Sequence, residues 1–175
     1  MSGSYNTAFG AGFIMPRMSN VKPIPPGFHS LTPAITVEGA AEAIEFYRRA
    51  FGAEELRRFA GGGKIFHAEI RIGDSIVMLT DAMPEWGFKS PKQVGGISSS
   101  LMFYCPDADA VFKRAVEAGA TVASPLDNVF SGQRYGAVIC PWGHRWAIAT
   151  QREDLSDAEV QKRMDDWMAS IPKKD

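Results

Sequence analysis

The chain repeats itself. AIEFYRRAFGA (Ala43–Ala53) and AVFKRAVEAGA (Ala110–Ala120) each carry small and apolar residues at helical spacing. Each ends in a glycine, Gly52 or Gly119, suited to the left-handed conformation at a helix C-terminus. Before each helix comes an apolar run, LTPAITV (Leu31–Val37) or SSLMFYC (Ser99–Cys105), and Asp107 stands where the second helix needs an N-cap. After each helix come three strand-like runs: EELRRFA, KIFHAEIRI and DSIVMLTD in the first half, TVASPLD, RYGAVIC and HRWAIAT in the second. Gly61-Gly62-Gly63, Gly73-Asp74 and Pro141-Trp142-Gly143 punctuate them. A β-α-β-β-β order that recurs whole predicts an α+β fold of two tandem βαβββ modules.

This divides the chain into five parts. Residues 1–22, rich in Gly, Ser, Asn and Met without an apolar period, read as a mobile extension. The first module covers 23–83 and the second 98–154. The loop between them, 84–97, is too long for a plain turn and has the length of a lid or linker. Residues 155–175 begin with Ser156 and Glu159 in capping-box spacing and continue as an amphipathic helix, with Val160, Met164 and Trp167 on its apolar side.

Composition narrows the function classes. Nineteen basic against twenty acidic residues leave a net charge of −1, without the basic block of a nucleic-acid binder. No apolar run approaches the roughly 20 residues that span a bilayer. The first twenty residues lack the basic and compact apolar regions of a secretory leader. Two cysteines, Cys105 and Cys140, read as reduced thiols, and the expected compartment is the cytoplasm.

The stretches GAAEAIEFYRRAFGAEE and DADAVFKRAVEAGATV, set in paired βαβββ modules, resemble the vicinal-oxygen-chelate superfamily of glyoxalases, extradiol dioxygenases, and fosfomycin- and bleomycin-resistance proteins. HAEIRIGDSIVMLTD, KSPKQVGG and RYGAVICPWGHRWAIAT are similar to its PhnB-like branch. The resemblance implies two curved sheets forming a cleft, with helices on the convex sides. It also implies metal ligands on the first and last strand of each module. Aligning the modules on helices and turns places Thr32, Val77, Ser100 and Ala147 there. Valine and alanine have no donor atom, and neutral hydroxyls are poor partners beside carboxylates and imidazoles, so no metal and no other cofactor is expected.

Period-2 alternation gives the same faces for three of the four strands. Thr32, Ala34 and Thr36 share one face; Ser100 and Met102 share another; Arg145, Ala147 and Ala149 oppose Trp146 and Ile148. With Val77 and Leu79 added, the expected cleft lining is small and mildly polar, suited to an organic molecule. His67 mid-strand is a candidate acid or base, and Tyr135, Arg134 and Arg145 could meet an anion or carbonyl. His144 in its turn reads as structural, and no Ser-His-acid order, Walker loop or Rossmann glycine pattern occurs. Three functions fit: a metal-free binder of a small molecule, built as a homodimer; an enzyme using His67, Tyr135 or Arg145 as catalytic group, or a displaced metal; or a protein whose cleft is vestigial. Nucleic acid and membrane are not expected partners.

Overall fold

The computed structural model describes residues 21–172, so nearly all of the expected N-terminal extension lies outside the described residues. Its element order repeats as the sequence does. Strand β1 (Ala34–Val37), helix α1 (Ala40–Phe51) and strands β2 (Glu54–Gly61), β3 (Lys64–Ile72) and β4 (Ser75–Asp81) form the first half. Strand β5 (Ser100–Tyr104), helix α3 (Ala108–Glu117) and strands β6 (Thr121–Asn128), β7 (Gln133–Ile139) and β8 (Arg145–Gln151) form the second. The strands make two separate four-stranded sheets, β1-β4-β3-β2 and β5-β8-β7-β6, each with one parallel pair and two antiparallel ones.

Local chemistry explains the boundaries. Gly52 closes α1 at φ 68° with its N–H on the carbonyl of Arg48. Asp107 caps α3 through the N–H of Ala110, and Ser156 with Glu159 forms a reciprocal capping box on α4 (Asp157–Ser170). Gly62 and Gly63, at φ 57° and 78°, make the two-residue turn from β2 to β3 that only positive φ at both positions allows. A deeper cap comes from the far end of each module. Asp81, at the end of β4, accepts from the N–H groups of Gly39 and Ala40 at 3.0 and 2.9 Å and from Ile65 N at 2.7 Å. Thr150, its counterpart at the end of β8, accepts from Ala108 N at 2.8 Å.

The inter-module segment is folded, not a plain loop. Pro84–Trp86 form a 3-10 turn, and α2 (Pro91–Val94) starts on a Ser90–Gln93 capping box. Ser90 also donates to the carboxylate of Glu38 at 2.7 Å, which ties the segment to the first module.

The halves meet through their helical layers. α1 packs along α3, and its aromatic side reaches the second sheet. Phe51 lies 4.7 Å from the Trp146 ring and 5.9 Å from Phe103, while Tyr47 lies 5.3 Å from Trp146. Trp142 stacks edgewise on Phe46 and donates its indole N–H to the carbonyl of Glu38 at 2.6 Å. Each sheet thus turns one face toward a shared core and leaves the other open. Within one chain the two open faces do not enclose a common cleft, because the helices stand between the sheets.

The register corrects two sequence expectations. Ile35 pairs with Leu79 and Ala34 with Met78 in the β1–β4 ladder, so Leu79 and Val77 belong to the helix face. Both are buried in the core, at 1% and 4% exposure. Met78, not Val77, occupies the open-face position equivalent to Ala147, which pairs with Met102 as Met78 pairs with Ala34. The reason is that Ile76-Val77-Met78-Leu79 is apolar on both faces, so alternation does not fix which side is which, and a slip of one residue inverts the assignment.

Candidate functional site

The open face of the second sheet has a floor of alanines. Ala137, Ala147 and Met102 form one cross-strand row, and Tyr135, Ala149 and Tyr104 the next. The alanines are covered by their neighbours, whereas Met102 and Tyr104 are about half exposed. Arg145 and Ser100 share the adjacent row, and Arg145 Nη2 donates to the hydroxyl of Tyr135 at 3.3 Å. Thus Ser100, Met102, Ala147, Tyr135 and Arg145 come together on one surface. Arg134 does not join them. Its guanidinium turns to the helix side and makes a two-toothed ion pair with Asp109 of α3, at 2.8 Å for the shorter contact. That pair holds the Asp109 carboxyl below the usual range through the hydrogen bonds from Arg134.

The open face of the first sheet carries charge. One row runs Arg57, Glu69, Met78, Ala34; Phe59 faces His67 in the next. Glu69 is only 5% exposed. Arg57 Nε donates to its Oε2 at 2.7 Å, and His67 Nε2 meets its Oε1 at 2.9 Å. Burial opposes ionisation of Glu69, but these two hydrogen bonds outweigh it and hold the carboxyl below its ordinary value. With Glu69 ionised, His67 presents Nε2–H to it. Thr32 lies just before β1, half-buried, with its hydroxyl on the carbonyl of His29.

Two β-bulges build this cluster. Counting back from the Gly62-Gly63 turn with plain pairing sets Leu56 opposite Glu69 and Arg58 opposite His67. Register shifts at Phe59/Ala60 and at Glu55/Arg57 move the intervening residues by one, so Arg57 faces Glu69 and Phe59 faces His67. Arg57 and Phe59 were not singled out from the sequence, because no local signal marks a bulge.

Elsewhere, a groove of about 550 Å³ lies at the junction between the Gly73–Ser75 turn and β5, lined by Leu31, Pro33, Ile76, Met102 and Trp146 among others. Val77 and Met102 both reach it; His67, Tyr135 and Arg145 do not. His144 is buried, which pushes its imidazole pKa down, and its carbonyl accepts from Cys140 N. It serves the turn, as its position suggests. Cys105 and Cys140 are buried free thiols.

With the register corrected, the open-face positions expected to carry metal ligands are Met78, Ser100 and Ala147, a thioether, a hydroxyl and a methyl, with Thr32 just before β1. The nearest carboxylate and imidazole, Glu69 and His67, bind each other, and the Arg57 guanidinium on Glu69 repels a cation. Among the described residues no three His, Cys, Asp or Glu side chains converge.

Two sheets of equivalent order, β1-β4-β3-β2 and β5-β8-β7-β6, each backed by one helix, define the paired βαβββ fold. The chain belongs to the glyoxalase/bleomycin resistance protein/dioxygenase superfamily, whose family model matches residues 28–148. An uncharacterised protein of Mycobacterium tuberculosis is 41% identical over 139 residues, covering 77% of this chain and 82% of that one. The X-ray structure of an Arabidopsis thaliana gene product matches at 26% identity and TM-score 0.58, over 70% of this chain and 98% of the other. TioX from Micromonospora sp. ML1 matches at 24% identity and TM-score 0.57, over 69% and 97%. Among the described residues no helix is long and apolar enough to cross a membrane.

Proposed function

We propose that this protein binds and sequesters a small organic molecule, as a homodimer and without a metal. The cleft would lie between the open face of the first sheet of one copy and the open face of the second sheet of its partner. The observation that carries this reading is that both open faces are uncovered in one chain while the helix faces share a core. Phe59, Met102 and Tyr104 are exposed at 58%, 47% and 57%, an apolar presence on strand surfaces that a ligand or a second copy would cover. The sheet edges agree. β2 and β6 are blunted by register shifts, and β6 also by Pro125, whereas β1 and β5 are short edges without charged side chains. We assign the finer PhnB-like placement on the sequence stretches quoted above, and the cytoplasm on the two free thiols.

A second reading has its own observation. The His67–Glu69 hydrogen bond is the arrangement that orients an imidazole for proton transfer, so an enzyme working through His67 is the alternative. Light scattering and native mass spectrometry of the intact protein test the first reading. Dimer mass with a retained organic ligand is expected, and Ala147→Trp should expel the ligand while leaving the circular dichroism spectrum unchanged. A monomer at every micromolar concentration would refute the shared cleft.

A further inference from the structure

We propose that the first sheet carries a recognition site for an aromatic monocarboxylate, with the carboxylate held by Arg57 and His67 and the ring laid on Phe59. The inference rests on the reading of the open faces as cleft walls and specifies what one wall selects.

Glu69 is the organising group. An ionised carboxylate this buried is costly to desolvate, and its two oxygens are answered one each by Arg57 and His67. That leaves the outer nitrogens of both partners available. Arg57 uses Nε alone on Glu69, and neither its Nη atoms nor His67 Nδ1 has a hydrogen-bond partner among the described residues. Their side chains are 52% and 36% exposed. The neighbouring Arg71 is different, since its guanidinium is engaged by Glu54. Phe59 lies over His67 with ring centroids 6.1 Å apart and planes 26° from parallel, which extends a flat surface outward from Arg57 and His67. Both Arg57 and Phe59 reach this face only because of the bulges, so the constellation is not a by-product of regular pairing.

Charge sets the ligand class. The ionisable groups on this face are Arg57, Glu69, His67, Arg71 and Glu54; Met78, Thr80 and Thr36 from β4 and β1 add none. The Arg71–Glu54 pair is neutral. Arg57 and Glu69 cancel, and an imidazole that donates Nε2–H to Glu69 and Nδ1–H to a ligand carries one positive charge, which suits a monoanion and not a dianion. The hydrogen bonds from Arg57 and His67 hold the Glu69 carboxyl low and so keep the organising charge in place.

The test is calorimetric titration of the intact protein with benzoate, benzamide and orthophosphate. Benzoate should bind about tenfold more tightly than benzamide, the scale of one charge-assisted hydrogen bond. His67→Gln should weaken benzoate and leave benzamide unchanged. Arg57→Gln and Arg57→Lys should both weaken benzoate, because lysine keeps the charge and loses the planar fork. Phe59→Ala should weaken benzoate and benzamide alike. Equal affinity for benzoate and benzamide, full benzoate affinity in His67→Gln, or tighter binding of orthophosphate would each overturn the charged site while leaving the cleft standing. Failure of both aromatics on a monomeric protein would remove the cleft itself, and this site with it.

Discussion

Asp81 is the side chain whose loss should cost the fold most for its size. It sits at the end of β4, 9% exposed, and its carboxylate accepts three backbone N–H groups from two other elements. Gly39 and Ala40 are at the N-terminus of α1, where a carboxylate also meets the positive end of the helix dipole; Ile65 opens β3. Asp81→Ala removes the acceptor and strands two buried donors and one half-buried donor. At about 1–3 kcal/mol for each buried donor left unpaired, partly recovered by water at Gly39, the expected loss is about 3–5 kcal/mol. Asp81→Asn should fall between this and wild type. It keeps one oxygen for the helix but sets an amide against Ile65 N–H. Thr150→Val makes the corresponding change in the second module, where one neutral hydroxyl caps Ala108 and donates to Cys105, and should cost about 1–2 kcal/mol. Urea unfolding at one fixed protein concentration measures all three, the concentration being held because association raises apparent stability. A loss below about 1 kcal/mol for Asp81→Ala, or one equal to that of Thr150→Val, would refute the argument from stranded donors.

Two further substitution tests follow from the register and the charge cluster. Val77→Gln buries an unpaired amide in the core and should cost about 2–4 kcal/mol, whereas Met78→Gln, one residue on but facing outward, should stay within about 1 kcal/mol; the reverse order in urea unfolding would restore the other register. For Glu69 the folded carboxyl is depressed, so its contribution is complete above the unfolded carboxyl range and is lost as pH falls through the folded value. Glu69→Gln should therefore be less stable than wild type at neutral pH, with the two unfolding midpoints converging as the solution is acidified. A gap that persists unchanged in acid would mean that charge is not what Glu69 contributes.

How much of this was legible depended on how local the information was. The helices and their caps at Gly52, Asp107 and Ser156 are read from adjacent residues, and the structure shows each one. The module order survives because five elements repeat together. The outward face of β8 was legible because Trp146 and Ile148 alternate with alanines; that of β4 was not, because four apolar residues stand in line. Arg134 was misplaced because its partner, Asp109, lies on a helix whose rotation the sequence does not display. His67 with Glu69 is an i, i+2 relation visible on a strand. Arg57 depends on a bulge whose position reflects the twist of the finished sheet.

The aromatic seam between the halves also gives this protein an internal optical gauge. Of its four tryptophans, Trp142 and Trp146 stand at the seam, while Trp86 and Trp167 are more than half exposed. Trp146 is buried among Tyr47 and Phe51 with an indole N–H that meets no acceptor, surroundings that give emission at the blue end of the tryptophan range. The outer pair are open to a collisional quencher such as acrylamide. Quenching them leaves a spectrum that reports on the seam alone, so parting of the two halves becomes visible as a red shift without any label attached.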